Sequence, residues 1–168
     1  SLLGKRKAEQ ALSTLEEFDL EFSDTLTAYE AKLTQALAHK RLGNLDAAMS
    51  ACDDAIRLRE AFGEKDKNGV WARVEPDGAD VISAAVLQKT LFLEDQKNHA
   101  QIVEVASDYL KSIPQALEAM RGKDVLAALA KAHFNLGDNQ SAKKEAEQLM
   151  EFGGPAGAQG QARSEERR

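Results

Sequence analysis

Residues 38–48 read AHKRLGNLDAA, and residues 132–142 read AHFNLGDNQSA. Both contain Ala-His, then Leu-Gly followed by Asn or Asp, then a polar run and an Ala: Ala48 in the first, Ala142 in the second. Ahead of Gly43, apolar side chains recur in helical steps at Leu26, Tyr29, Leu33, Ala36, Leu37 and Leu42. Behind it they recur at Leu45, Ala48, Cys52, Ala55, Ile56 and Leu58. Steps of three and four line up on one side of a helix. A glycine between two such runs adopts positive φ without a Cβ penalty, and the Asn or Asp behind it is a good N-cap. The chain therefore encodes the same helical reversal twice, around Gly43 and Gly137.

Outward from these turns, the remaining sequence is also helical in period. Ala8, Ala11, Leu12, Leu15, Phe18 and Phe22 predict a helix over 5–22, with Ser23-Asp24 as the break and cap before the next. The helix after Gly43 is predicted to run from about 45 to 62. The segment 63–80, GEKDKNGVWARVEPDGAD, loses the period and reads as a loop insertion, with a short extended piece at Val70–Val74. Helices are expected again over about 79–95 and 98–112, then from 115 or 123 to 136 with a break at Arg121-Gly122-Lys123, and finally over 139–152. The tail 153–168 has no apolar residue larger than Ala and is expected to be disordered. The prediction is an all-α domain over 1–152, of about seven helices and no strands.

Bulk properties narrow the function. Hydrophobic residues make up 43% and charged residues 30% of 168, a balance that supports a core, while aromatics are only 5%. The net charge of −6 disfavours nucleic acid, and the short basic runs Lys5-Arg6-Lys7 and Lys40-Arg41 have acidic neighbours. No apolar run approaches the roughly 20 residues of a membrane span. No signal peptide is visible at SLLGKRK, and the single Cys52 forms no internal disulfide, so a cytoplasmic location is favoured.

The segments ALAHKRLGNLDAAMSACDDAIRL and ALAKAHFNLGDNQSAKKEAEQLM resemble tetratricopeptide repeats, in which a Gly-Asp or Gly-Asn turn joins two helices. The resemblance covers about residues 25–152. It includes a third unit at 81–114 whose turn, Asp95–Asn98, lacks glycine. In this register Ala48 and Ala142 are close-contact positions, and Cys52 with Ala55, or Ala146 with Leu149, continue the buried face. Helix 5–22 stands as a capping helix or half of a degenerate repeat. The resemblance implies a right-handed solenoid of antiparallel helix pairs. It also implies a scaffold or adaptor that holds a protein or peptide on a concave face lined by the first helix of each pair. Family members that grip acidic tails carry Lys and Asn at two of these lining positions. Here those positions hold Leu33 and Leu37, and in the middle unit Leu87 and Leu91, so the expected groove is apolar. Helix 5–22 or the 63–80 loop are the internal candidates to fill it. Trp71 is either a plug for its own loop or a partner contact. Self-assembly into a homo-oligomer is the alternative function.

No catalytic centre, cofactor or metal site is expected. His39 and His133 occupy the same place in different units and read as packing residues, and His99 reads as a solvated turn residue. A zinc site needs three or four converging ligands. Cys52 lies on an apolar stripe, and the adjacent acids Glu16-Glu17 and Asp53-Asp54 diverge on a helix.

Overall fold

A computed structural model of the protein describes residues 2–21, 26–58, 66–68, 76–113, 116–117 and 120–153. They form seven helices: α1 (Leu2–Glu21), α2 (Leu26–Leu42), α3 (Leu45–Arg57), α4 (Pro76–Asp95), α5 (His99–Ser112), α6 (Met120–Asn135) and α7 (Asn139–Gly153). No strand occurs among the described residues, and the fold class is all-α. Each helix packs on the next one along the chain, and α4 also touches α2 and α6.

α3 is Leu45–Arg57, with Leu58 as its C-cap, and residues 59–62 of the expected helix lie outside the described residues. Two boundaries differ from the sequence reading. α4 begins at Pro76, so the end of the expected 63–80 loop is helical. Proline suits a first helical position, because its φ is already helical and its missing N–H would have had no partner there. α1 begins at Leu2, ahead of the predicted start. Within the loop, the Asp66 carboxylate accepts the Asn68 N–H at 2.8 Å, a local turn. Trp71, the expected extended piece at 70–74 and residues 154–168 of the expected tail lie outside the described residues.

The reversal occurs three times, at the two glycine turns and at the Asp95–Asn98 turn of the middle segment. Gly43 and Gly137 have φ of +81° and +83°, and Lys97 in the middle turn has +57°. The hydrogen bonds agree. The Gly43, Lys97 and Gly137 N–H groups donate to Lys40, Glu94 and Phe134 carbonyls at 3.0, 2.8 and 3.0 Å. The next residues, Asn44, Asn98 and Asp138, each donate to His39, Leu93 and His133 carbonyls at 2.9 Å. Lys97 therefore stands where the other turns have glycine, which fixes the register of the middle unit. Without a glycine it accepts a left-handed conformation that costs an L-residue about 1 kcal/mol.

The caps of the following helices differ chemically. The Asn98 side chain accepts the Gln101 N–H at 3.3 Å, and the Asp138 carboxylate accepts the Ser141 N–H at 3.1 Å. Hydrogen bonds from Ser141, first its side chain and then its backbone, hold the Asp138 carboxyl below the usual carboxylate range. A depressed folded pKa stabilises above the unfolded value, and that contribution is lost as pH falls through the folded one. Acidification should therefore lower amide protection, measured against the intrinsic exchange rate at each pH, in the first turn of α7 more than in that of α5. Asp138→Asn should remove the difference. Equal acid sensitivity of the two helices in the unsubstituted protein would refute this account of the cap.

Alanine-lined contacts build the core. Phe92 of α4 is buried among Ala36, Ala48, Ala51 and Cys52, joining α2 and α3 to α4. A second cluster of Val86, Tyr109, Ile113, Val125, Leu126 and Leu129 joins α4, α5 and α6. Ala48, Cys52 and Ala55 are fully buried, as the stripe on α3 predicts. On α7 the equivalent stripe departs from the expectation: Ala142 is half-buried and Ala146 is exposed. The reason is positional. α3 lies against α2 and α4, and α5 against α4 and α6, whereas α7 rests on α6.

Two buried tyrosines fasten α4 from opposite sides. The Tyr29 hydroxyl of α2 accepts the Ala85 N–H at 3.1 Å, and the Tyr109 hydroxyl of α5 hydrogen-bonds the Ser83 hydroxyl. Burial raises the Tyr29 pKa, so the phenol stays neutral. Burial, reinforced by neighbouring Asp53, pushes the Cys52 thiol up to about 12, which makes it a packing residue and not a thiolate nucleophile.

The expected break at Arg121-Gly122-Lys123 is the first turn of α6. Gly122 is buried against the short turn at Ala116-Leu117, and a Cβ built on it would overlap the backbone carbonyl of Ala116. Glycine is needed there for a close backbone crossing.

Candidate interaction surface

The common register of the three turns places the first helices of the pairs, α2, α4 and α6, in correspondence. Lys40 of α2 pairs with Asp95 of α4 at 2.9 Å, and its ammonium lies 4.9 Å from the Phe92 ring centroid. Lys131 of α6 pairs with Glu94 of α4. These contacts tie the C-terminal ends of the three helices together.

One turn back along each helix lie the leucines singled out from sequence, and they separate into two kinds. Leu33 packs on the Tyr29–Ala55–Ala85 cluster, and Leu87 packs on the Val86–Tyr109 cluster. Leu37 and Leu91 remain 46% and 43% exposed. About half of each of these side chains is covered, and among the described residues no element buries either completely. In the third unit the corresponding residues are Ala127 and Lys131, both exposed, so the leucine strip spans two units and stops at a lysine. Trp71 lies outside the described residues.

The charges beside the strip are largely matched internally. Lys40 with Asp95 and Lys131 with Glu94 bridge successive helices in alternating sign. A ligand on this surface would meet apolar carbon flanked by ion pairs that already have partners.

Four exposed apolar residues were not identified from sequence: Phe134, Leu136, Met150 and Phe152. Phe134 and Leu136 flank the last reversal, and Met150 and Phe152 lie at the far end of α7. Their signal was present in the repeat register, because Met150 aligns with Ile56 and Leu110 of the earlier units, but exposure depends on whether a further helix covers the face.

The histidines have distinct surroundings. His133 Nδ1 lies 2.9 Å from a Glu145 carboxylate oxygen, linking α6 to α7. His39 occupies the same position in its own pair, but the residue equivalent to Glu145 there is Ala51, and its Nδ1 is enclosed without a hydrogen-bond partner. His99 is half-buried at the start of α5 with its Nδ1 enclosed, and is not the solvated turn residue expected. Among the described residues, no group of three or more His, Cys, Asp or Glu is arranged to hold a metal ion, and no helix is long and apolar enough to cross a membrane.

On the other side of α4 a cleft of about 230 Å³ opens between α3 and α5. Lys89 reaches into it with its side chain only 11% exposed and pairs with Asp53 of α3. Glu104 and Asp108 of α5 form the opposite wall. A buried ammonium is costly without such a partner, so the pair explains how a lysine occupies a position that Leu129 fills in the third unit.

Comparison with known proteins finds no matching family model, and no match among curated proteins or solved structures.

Proposed function

We propose that the protein is a non-catalytic scaffold, a solenoid of tetratricopeptide-like helix pairs that holds an apolar or amphipathic segment of another polypeptide along the Leu37–Leu91 strip. The observation that carries this reading is the exposure of Leu37 and Leu91 at equivalent positions of consecutive units. Three reversals with one hydrogen-bond pattern, and helices that pack on near neighbours in the chain, support the repeat architecture. Fully burying a leucine is worth about 1.5–3 kcal/mol. Each of these is already about half-covered, so the pair would supply roughly that amount together. The flanking ion pairs are internally matched, so binding should depend little on salt.

Leu37→Asp with Leu91→Asp tests the strip. Both side chains are partly in water, so the doubly substituted protein should keep its helical circular dichroism while a tagged full-length chain no longer recovers its partner from native lysate. Undiminished recovery by a folded double variant would refute the strip as the recognition surface. The self-assembly reading is favoured by a separate observation, the exposed Phe134, Met150 and Phe152 on α6 and α7 and the exposed Leu136 in the turn between them.

A further inference from the structure

We propose that α7 is a displaceable latch: it occupies a groove on α6 that accepts an amphipathic helix, and it vacates that groove while α2–α6 stay folded. The second helices of the three units are held very differently. α3 buries Ala48, Ala51, Cys52 and Ala55, and α5 buries Ile102, Ala106 and Tyr109. Residues 139–152 of α7, which rests on α6, include no buried side chain. The docking face of α7, marked by partial burial, is Ser141, Ala142, Glu145, Gln148 and Leu149, a stripe at helical spacing. Only Ala142 and Leu149 are apolar there. Leu149 packs on the cluster that holds Leu126 and Leu129, and Glu145 lies within hydrogen-bond distance of His133, at 2.9 Å. A helix held by so little apolar contact opens at a lower free energy than the core.

The present occupant defines the ligand. A competing helix repeats the pattern of α7: a small residue, a carboxylate three positions on to meet His133, and a leucine four positions later to meet the core. It displaces α7 by improving on it. Ser141 and Gln148 are polar residues on the docking face, so a helix with apolar side chains at those two places buries more apolar surface than α7 does. The partner is therefore an amphipathic helix of another polypeptide, more apolar along this stripe than α7. Exchange of α7 between two copies would gain nothing of this kind, because each helix gives up the same contacts that it takes.

Two measurements on the full chain test the latch. In native-state hydrogen exchange, the α7 amides should exchange together, through an opening that α3 and α5 do not share, with protection about a hundredfold below that of α5. In fluorescence anisotropy, a labelled, end-capped peptide of residues 139–153 carrying Ser141→Leu and Gln148→Leu should bind the chain. The same peptide without these substitutions should bind about tenfold more weakly, or weaker still. Leu149→Ala in the chain loosens the internal helix alone and should tighten peptide binding by about tenfold, with the circular dichroism of the other helices retained. Exchange of α7 only together with α5 overturns the proposal, as does a peptide that fails to bind or one indifferent to Leu149→Ala in the chain. Dimerisation of the Leu149→Ala chain without peptide would assign the groove to a second copy and overturn the partner named here. The Leu37–Leu91 strip takes no part in these measurements and is tested by its own variant.

Discussion

Phe92→Ala should destabilise the protein by about 3–5 kcal/mol. The ring is completely buried, and its neighbours Ala36, Ala48, Ala51 and Cys52 are too small to close over the space it would vacate. It is also the side chain over which the Lys40 ammonium lies, so its loss weakens the contact between α2 and α4 in two ways. For a chain of this size, 1 kcal/mol moves the melting temperature by about 2–4 °C. The shift should therefore be about 6–20 °C by calorimetry. The adjacent substitution Leu91→Ala removes a side chain that is 43% exposed and should cost far less. If the two variants melt together, the packing of α4 described above is wrong by one residue in register.

Gly122→Ala tests a contest between two effects of opposite sign. In an ordinary helix interior, alanine is better than glycine by about 1 kcal/mol. At Gly122 the added methyl meets the backbone carbonyl of Ala116, which belongs to a buried turn anchored by the Ala116 N–H to the Ile113 carbonyl at 2.9 Å. Neither backbone can rotate aside as a long side chain would. Overpacking of this kind costs about 1–3 kcal/mol, occasionally more, so the net change in denaturant titration should be destabilising despite the gain in propensity. A stabilised variant would show that α6 does not cross the preceding turn as closely as described.

The fold was legible where the period was strong. The two glycine turns, the stripe on α3 and the cap at Asp138 follow from local rules, whereas Asn44, at the corresponding place before α3, makes no side-chain capping hydrogen bond. Lys97 was harder to recognise as a turn residue, because a lysine carries no preference for positive φ. What identifies its place is the hydrogen bonding around it, which a sequence does not display. The extra turn of helix at Pro76 was hidden by two loop-forming residues, Pro76 and Gly78, whose propensities are overridden when a helix starts at the proline. On the candidate surface, spacing put Leu33, Leu37, Leu87 and Leu91 on common faces but did not distinguish the pair that packs inward from the pair that faces out. That distinction depends on the angle at which the helices cross, a tertiary quantity. Ala146 was misplaced for the same kind of reason: a repeat pattern predicts a buried face for every unit, whereas burial requires a neighbour to pack against it.

Packing between helices that follow one another along the chain also governs how fast the protein reaches its fold. The cost of closing a loop rises with its length, and chains dominated by short-range contacts collapse quickly. From α4 to α7, each new helix closes onto the growing structure through a turn of a few residues or through the short Ile113–Met120 connection. The long closure is the one between Arg57 and Pro76, which must bring α2 and α3 onto α4 and deliver Phe92 into its alanine pocket. The expected order of assembly is the C-terminal four helices first, at a speed set by local turns, and α2 and α3 docking later across that connection; pulse-labelled hydrogen exchange during refolding should protect α4–α7 before α2 and α3, and simultaneous protection would refute this order.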